Sequence, residues 1–142
     1  MYDAGFEGAR LSDCILEGDG EYRIVIRPEN KPVNNSAWYA FRVSAKTPQT
    51  LIIHLTYEGG KHRYHPKIST DGITWRRLSG DRYQRKEGTT KEGTVTLQVD
   101  VGPDALWIAA QEMIGLAELN AWMDRIARRP FVGEAATTPI GN

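Results

Sequence analysis

Short stretches in which apolar and polar residues alternate recur along this chain, most of them bounded by glycine, proline, aspartate or asparagine. A period of two places successive side chains on opposite faces of an extended strand, so a chain patterned this way must build sheets. Thr94 to Val101 is the clearest case. Val95, Leu97, Val99 and Val101 point one way, and Thr96, Gln98 and Asp100 the other. Tyr22, Ile24 and Ile26 share one face of the segment Glu21 to Arg27. Arg10 to Leu16 precedes it across Glu17-Gly18-Asp19-Gly20, a turn signal that predicts a hairpin. Ser36 to Ser44 is largely apolar on both faces, with Trp38, Ala40 and Arg42 on one and Tyr39, Phe41 and Val43 on the other, as a central strand requires. Thr50 to Tyr57, Arg63 to Ser69, Thr74 to Leu78 and Ala105 to Ala110 add further strands. Asp71-Gly72 predicts a tight two-residue hairpin turn that holds Trp75 against the sheet. Residues 79–93 lack apolar periodicity and read as a long loop or a ragged hairpin.

Seven to nine short strands at this spacing predict an all-β fold, an antiparallel two-layer β-sandwich. Its predicted core comprises Ile24, Ile26, Trp38, Phe41, Ile53, Leu55, Val95, Leu97, Val99 and Ile108. The period then changes. Leu116, Leu119, Trp122, Met123 and Ile126 fall at helical spacings, which predicts one C-terminal α-helix over 115–128, stopped by Pro130. Leu116 and Ile126 are expected to face the sandwich, and Trp122 or Met123 to stay exposed. Residues 1–130 therefore read as one domain, and 131–142 as a linker toward a further domain.

Composition narrows the function classes. The chain has 142 residues, enough for one domain with a real core. Eighteen basic residues balance eighteen acidic ones, so no global field recruits nucleic acid or a membrane surface. No membrane-length apolar run or secretory signal is visible, which points to a cytoplasmic location. Charge is nevertheless segregated: residues 1–30 carry three arginines against seven acids, and 61–92 carry nine Lys or Arg against four acids. The basic stretch reads either as a rim for an acidic partner or as solvated loops and strand faces.

The side chains for chemistry are sparse. His62 and His65 lie on a predicted strand or turn, where an odd separation sends them to opposite faces, and His54 is on another strand. No catalytic motif of known spacing includes them, so surface or satisfied core roles are expected, with no metal and no catalytic residue. Cys14 reads as a buried structural thiol. Asn34-Asn35-Ser36 matches a glycosylation pattern, taken as chance without a secretory signal. Trp38, Trp75 and Trp107 fit a core; exposed and coplanar, they would instead make a carbohydrate-binding sandwich module.

The order of segments resembles the N-terminal domain of cytosolic carboxypeptidases, a subfamily of zinc metallocarboxypeptidases. The resemblance rests on Tyr2-Asp3-Ala4-Gly5, on the strand Tyr22 to Pro28 with its terminal Arg27, on Ala37 to Val43 with Trp38, Phe41 and Arg42, and on Ser69 to Trp75 with Asp71, Gly72 and Trp75. Thr138-Pro139-Ile140-Gly141 is similar to the family's entry into the catalytic domain. Gln111-Glu112-Met113-Ile114 departs from a Pro-Tyr-Ser-like segment common in the family. The resemblance implies an accessory domain with no cofactor of its own, the zinc and the catalytic groups belonging to a C-terminal domain of the same polypeptide. It implies docking on that domain beside the entrance for a peptide or protein substrate. Trp122, Met123, Arg125, Arg128 and Arg129 are the candidate docking residues, with the basic 61–92 stretch alongside.

Overall fold

The computed structural model describes residues 1–30, 38–85 and 95–129. The glycosylation-like triplet, the start of the Ser36 strand, residues 86–94, Pro130 and the whole 131–142 segment lie outside them.

Among the described residues ten strands form two five-stranded sheets, followed by one α-helix. The first sheet orders β1 (Tyr2–Asp3), β4 (Ala40–Val43), β10 (Leu106–Ala109), β6 (Lys67–Ser69) and β7 (Arg76–Arg77). The second orders β2 (Asp13–Gly18), β3 (Glu21–Ile26), β5 (Gln49–Tyr57), β9 (Val95–Val101) and β8 (Tyr83–Arg85). The helix α1 spans Leu116–Ala127, with Gly115 and Arg128 as its caps. The all-β sandwich with a single C-terminal helix is therefore the architecture, and the β2–β3 hairpin forms as the turn signal predicts.

Alternation explains the core. Val95, Leu97, Val99 and Val101 are all buried on β9, as are Leu51, Ile53, Leu55 and Tyr57 on β5, and they share one core with Phe41, Val43 and Ile108 of the first sheet and with Tyr39 just before β4. Each such aliphatic side chain contributes roughly 1.5–3 kcal/mol on burial. Trp38 departs from the expected core: it is half-buried at the margin and lies before β4 begins.

Three expectations are corrected by pairings that periodicity does not encode. Among the described residues the strands number ten rather than seven to nine, because β1 and β8 are short and form through their neighbours' backbones. One pair, β3 with β5, is parallel. Such a pair needs a crossover, and the chain supplies it by passing through β4 in the opposite sheet. The Asp71-Gly72 pair is no two-residue hairpin: Ile68 pairs with Arg76, so the connection runs from Ser69 to Trp75. Cys14 is also exposed rather than buried, because β2 is an edge strand.

Candidate functional site

The helix is anchored at its start. Glu7 Oε1 accepts a hydrogen bond from the Leu116 N–H at 3.0 Å, and Glu118 Oε2 accepts one from the Gly115 N–H at 3.2 Å. Two donors that a helix start leaves unpaired are thereby satisfied, and both carboxylates stand at the positive end of the helix dipole. A tight turn places Glu7. The Ala9 N–H donates to the Phe6 carbonyl, and Trp38 Nε1 donates to the Gly8 carbonyl at 3.2 Å. Gly8 has φ +74°, a left-handed conformation that favours glycine, and a Cβ there would stand 2.9 Å from Met113 Cε and push that side chain aside.

Beyond that anchor, among the described residues, no side chain of the helix is buried. Trp122 is 48% exposed, Met123 46%, Leu119 42% and Leu116 60%. At 100° per residue these side chains and the half-buried Ile126 form one apolar stripe, about 120° wide. The expectation that Leu116 packs on the sandwich is wrong: the entering segment meets the sandwich edge through Met113 and Glu7, which leaves Leu116 on the outer side. Glu118, Leu119, Trp122 and Arg125 line one wall of a groove of about 400 Å³. Ile73, Trp75, Met113 and Ile114 line the rest. Glu112, also on the groove, is held by Lys67 of β6, and that ammonium lowers the Glu112 carboxyl below its ordinary range.

The fold thus brings Trp122 and Arg125 together with part of the basic stretch, through Ile73 and Trp75. Met123 sits on the stripe but outside the groove, and Arg128 and Arg129 extend the exposed helix end. Ile73, Met113 and Ile114 had no sequence signal as site residues, apart from being apolar beside turns.

The histidines are engaged elsewhere. His62 is buried, with Nδ1 2.7 Å from the Tyr57 hydroxyl and Nε2 2.9 Å from the Tyr83 hydroxyl. A neutral ring satisfies both phenols, accepting from one and donating to the other. Burial, aided by Arg85 and His65, lowers its pKa to about 4. His65 Nε2 donates to the Leu78 carbonyl at 2.6 Å.

A family model, the cytosolic carboxypeptidase N-terminal domain, matches residues 3–110. The chain belongs to this family.

The match stops before α1. No curated protein sequence matches the chain. Solved structures share the fold with a longer reach. A protein named for carboxypeptidase A from Shewanella denitrificans OS-217 aligns over 94% of this chain and 35% of its own, at 20% identity and TM-score 0.70. A metallo-carboxypeptidase from Burkholderia cenocepacia aligns over 92% and 33%, at 14% identity and TM-score 0.66. The chain spans about a third of the length of these structures.

In this carboxypeptidase N-terminal domain the motif residues make contacts between strands and loops. Arg27 closes the ends of three strands, reaching Asp13 at 2.5 Å and Glu58 at 2.8 Å. Arg42 pairs with Asp3, fixing β1, and lies over the rings of Phe6 and Trp107. Phe41 is fully buried. Asp71 Oδ1 accepts from the N–H groups of Ile73 and Thr74 and from Ser69 Oγ, which holds its carboxyl far below the usual carboxylate range. Gly72, at φ +76°, packs against the Trp107 ring, and its carbonyl accepts from Trp75 Nε1 at 3.2 Å. Trp75, half-buried, also lines the groove. Trp38, Trp75 and Trp107 are each half-buried in these packing roles, which disfavours a stacked sugar face.

Proposed function

We propose that this chain is a non-catalytic accessory domain that docks, through the apolar stripe of α1 and the groove beside it, on a zinc carboxypeptidase domain C-terminal to it. The observation that carries this reading is the helix with no buried side chain among the described residues. An isolated twelve-residue amphipathic helix is marginal in water, so a stripe left uncovered calls for a partner. Family membership, together with relatives about three times as long, supports a carboxypeptidase domain as that partner. Trp122 and Met123 supply the apolar anchor. Arg125, Arg128 and Arg129 supply a charged rim, in keeping with the polar character of interfaces within one chain. Zinc in the catalytic domain would polarise the scissile carbonyl and activate water. This domain's own part is to border the path of the peptide or protein substrate in a cytoplasmic enzyme.

The test is to express the polypeptide encoded beyond Asn142 on its own and titrate this domain into it by calorimetry. The proposal expects saturable binding, weakened by Trp122→Ala and by salt. It fails if no binding is seen at low salt and the catalytic part is equally stable and active alone.

A further inference from the structure

In the second sheet β2, β3 and β5 run side by side, and their outer face gathers three metal-ligating side chains. Glu17 comes from β2, Glu21 from the start of β3 and His54 from the middle of β5. One ligand atom from each lies within 4.8 Å of the other two. The register explains why they meet. Pairing between β2 and β3 shifts between Leu16 and Gly18, an irregularity of the kind that re-aims a side chain, and it falls on Glu17. Parallel pairing sets Arg23 opposite His54, which brings Glu21, two residues earlier on the same face, within reach of the imidazole.

The imidazole is already oriented. His54 Nε2 faces Glu21 Oε1 at 2.7 Å, and Nδ1 lies 3.1 Å from the Oγ1 of Thr96, its direct partner on β9. For Nε2 to bind a metal it gives up the proton shared with Glu21, and Nδ1–H then donates to the Thr96 hydroxyl, an outer partner that fixes the ring as such partners do for metal-ligating histidines. Two carboxylates converging from neighbouring strands repel each other, which favours positive charge between them. Arg23, whose side chain is about half exposed, contacts Glu17 and supplies part of that charge.

We propose that Glu17, Glu21 and His54 form a binding site for a zinc-class divalent cation, with Arg23 as the counter-ion that the metal displaces. The donor set of one imidazole nitrogen and two carboxylate oxygens suits zinc. Calcium and magnesium prefer all-oxygen shells of six or more ligands. Three protein ligands leave a fourth position for water. The ligands sit on three different strands, so the spacing rules that detect zinc motifs along a sequence miss them.

Calorimetric titration of zinc chloride into the full chain tests this site independently of the docking surface. One saturable site is expected. His54→Gln and Glu21→Gln should each weaken it by about tenfold or more, and Thr96→Val, which only releases the ring, by about tenfold. Arg23→Gln should tighten it by removing the competitor, a gain that a misfolded variant cannot mimic. Absence of saturable zinc binding, binding unchanged by His54→Gln, or weaker binding in Arg23→Gln would overturn the proposal.

Discussion

His62 makes the stability of this domain depend on pH in a window that can be calculated. Its ring is buried between Tyr57 and Tyr83, and burial lowers its folded-state pKa to about 4, against about 6.5 for the unfolded chain. Between those values the unfolded chain binds a proton that the folded one refuses. Stability therefore falls as pH drops from about 6.5 toward 4, and this contribution levels off below the folded value. From pH 7.5 to pH 5 the linkage gives a loss of about 2 kcal/mol for the fully shifted group. Urea denaturation at the two pH values measures it. Carboxylates held low by hydrogen bonds, such as Asp71 and Asp100, titrate below this window in the folded state. His62→Gln removes the ring, while His54 and His65 remain in both proteins. The variant should be less stable at pH 7.5 but lose about 2 kcal/mol less on acidification. If wild type and variant lose equal stability between pH 7.5 and 5, the buried neutral imidazole is refuted.

Gly72→Val should destabilise by about 2–4 kcal/mol, combining a β-branched residue at positive φ with a Cβ pressed on Trp107. Gly102→Val, where a Cβ meets nothing within 4 Å, is the control, and equal melting temperatures for the two variants would show that the turn is misread. Glu7→Ala should lower helical ellipticity while leaving the β signal intact, because it removes the acceptor for Leu116 N–H from a helix with no packed face. An unchanged helical signal would mean that α1 needs no anchor from the N-terminal turn.

How much of this was legible in the sequence depended on how local the cause was. β5 and β9 carry alternation strong enough to fix both strand and inward face, because each buried side chain stabilises that register alone. β8 has no such pattern. Tyr83, Gln84 and Arg85 become a strand because β9 offers them an edge to pair with, and Tyr83 anchors it inward, its side chain on the core and its hydroxyl on His62. The Asp-Gly pair departs from its predicted turn for a similar reason. The Asp71 carboxylate organises a longer loop through its side chain, and only Gly72 adopts positive φ. The helix and its stripe were visible from 3.6-residue spacing, yet not its orientation, since Leu116 is turned away by contacts at Gly8 and Glu7, far off in sequence. The groove's second wall and the Glu17–Glu21–His54 cluster both arise from tertiary placement alone.

Hydrogen–deuterium exchange across residues 113–126 tests the docking account most directly, comparing this domain alone with the same domain in its intact parent polypeptide. A short helix that buries no side chain should exchange rapidly in the isolated domain, close to the rate of a fraying segment. Docking on the catalytic domain should slow those amides strongly while leaving β5 and β9 protected in both. Equal exchange of 113–126 in the two forms would contradict the account, because the stripe would then be as uncovered in the whole protein as it is here.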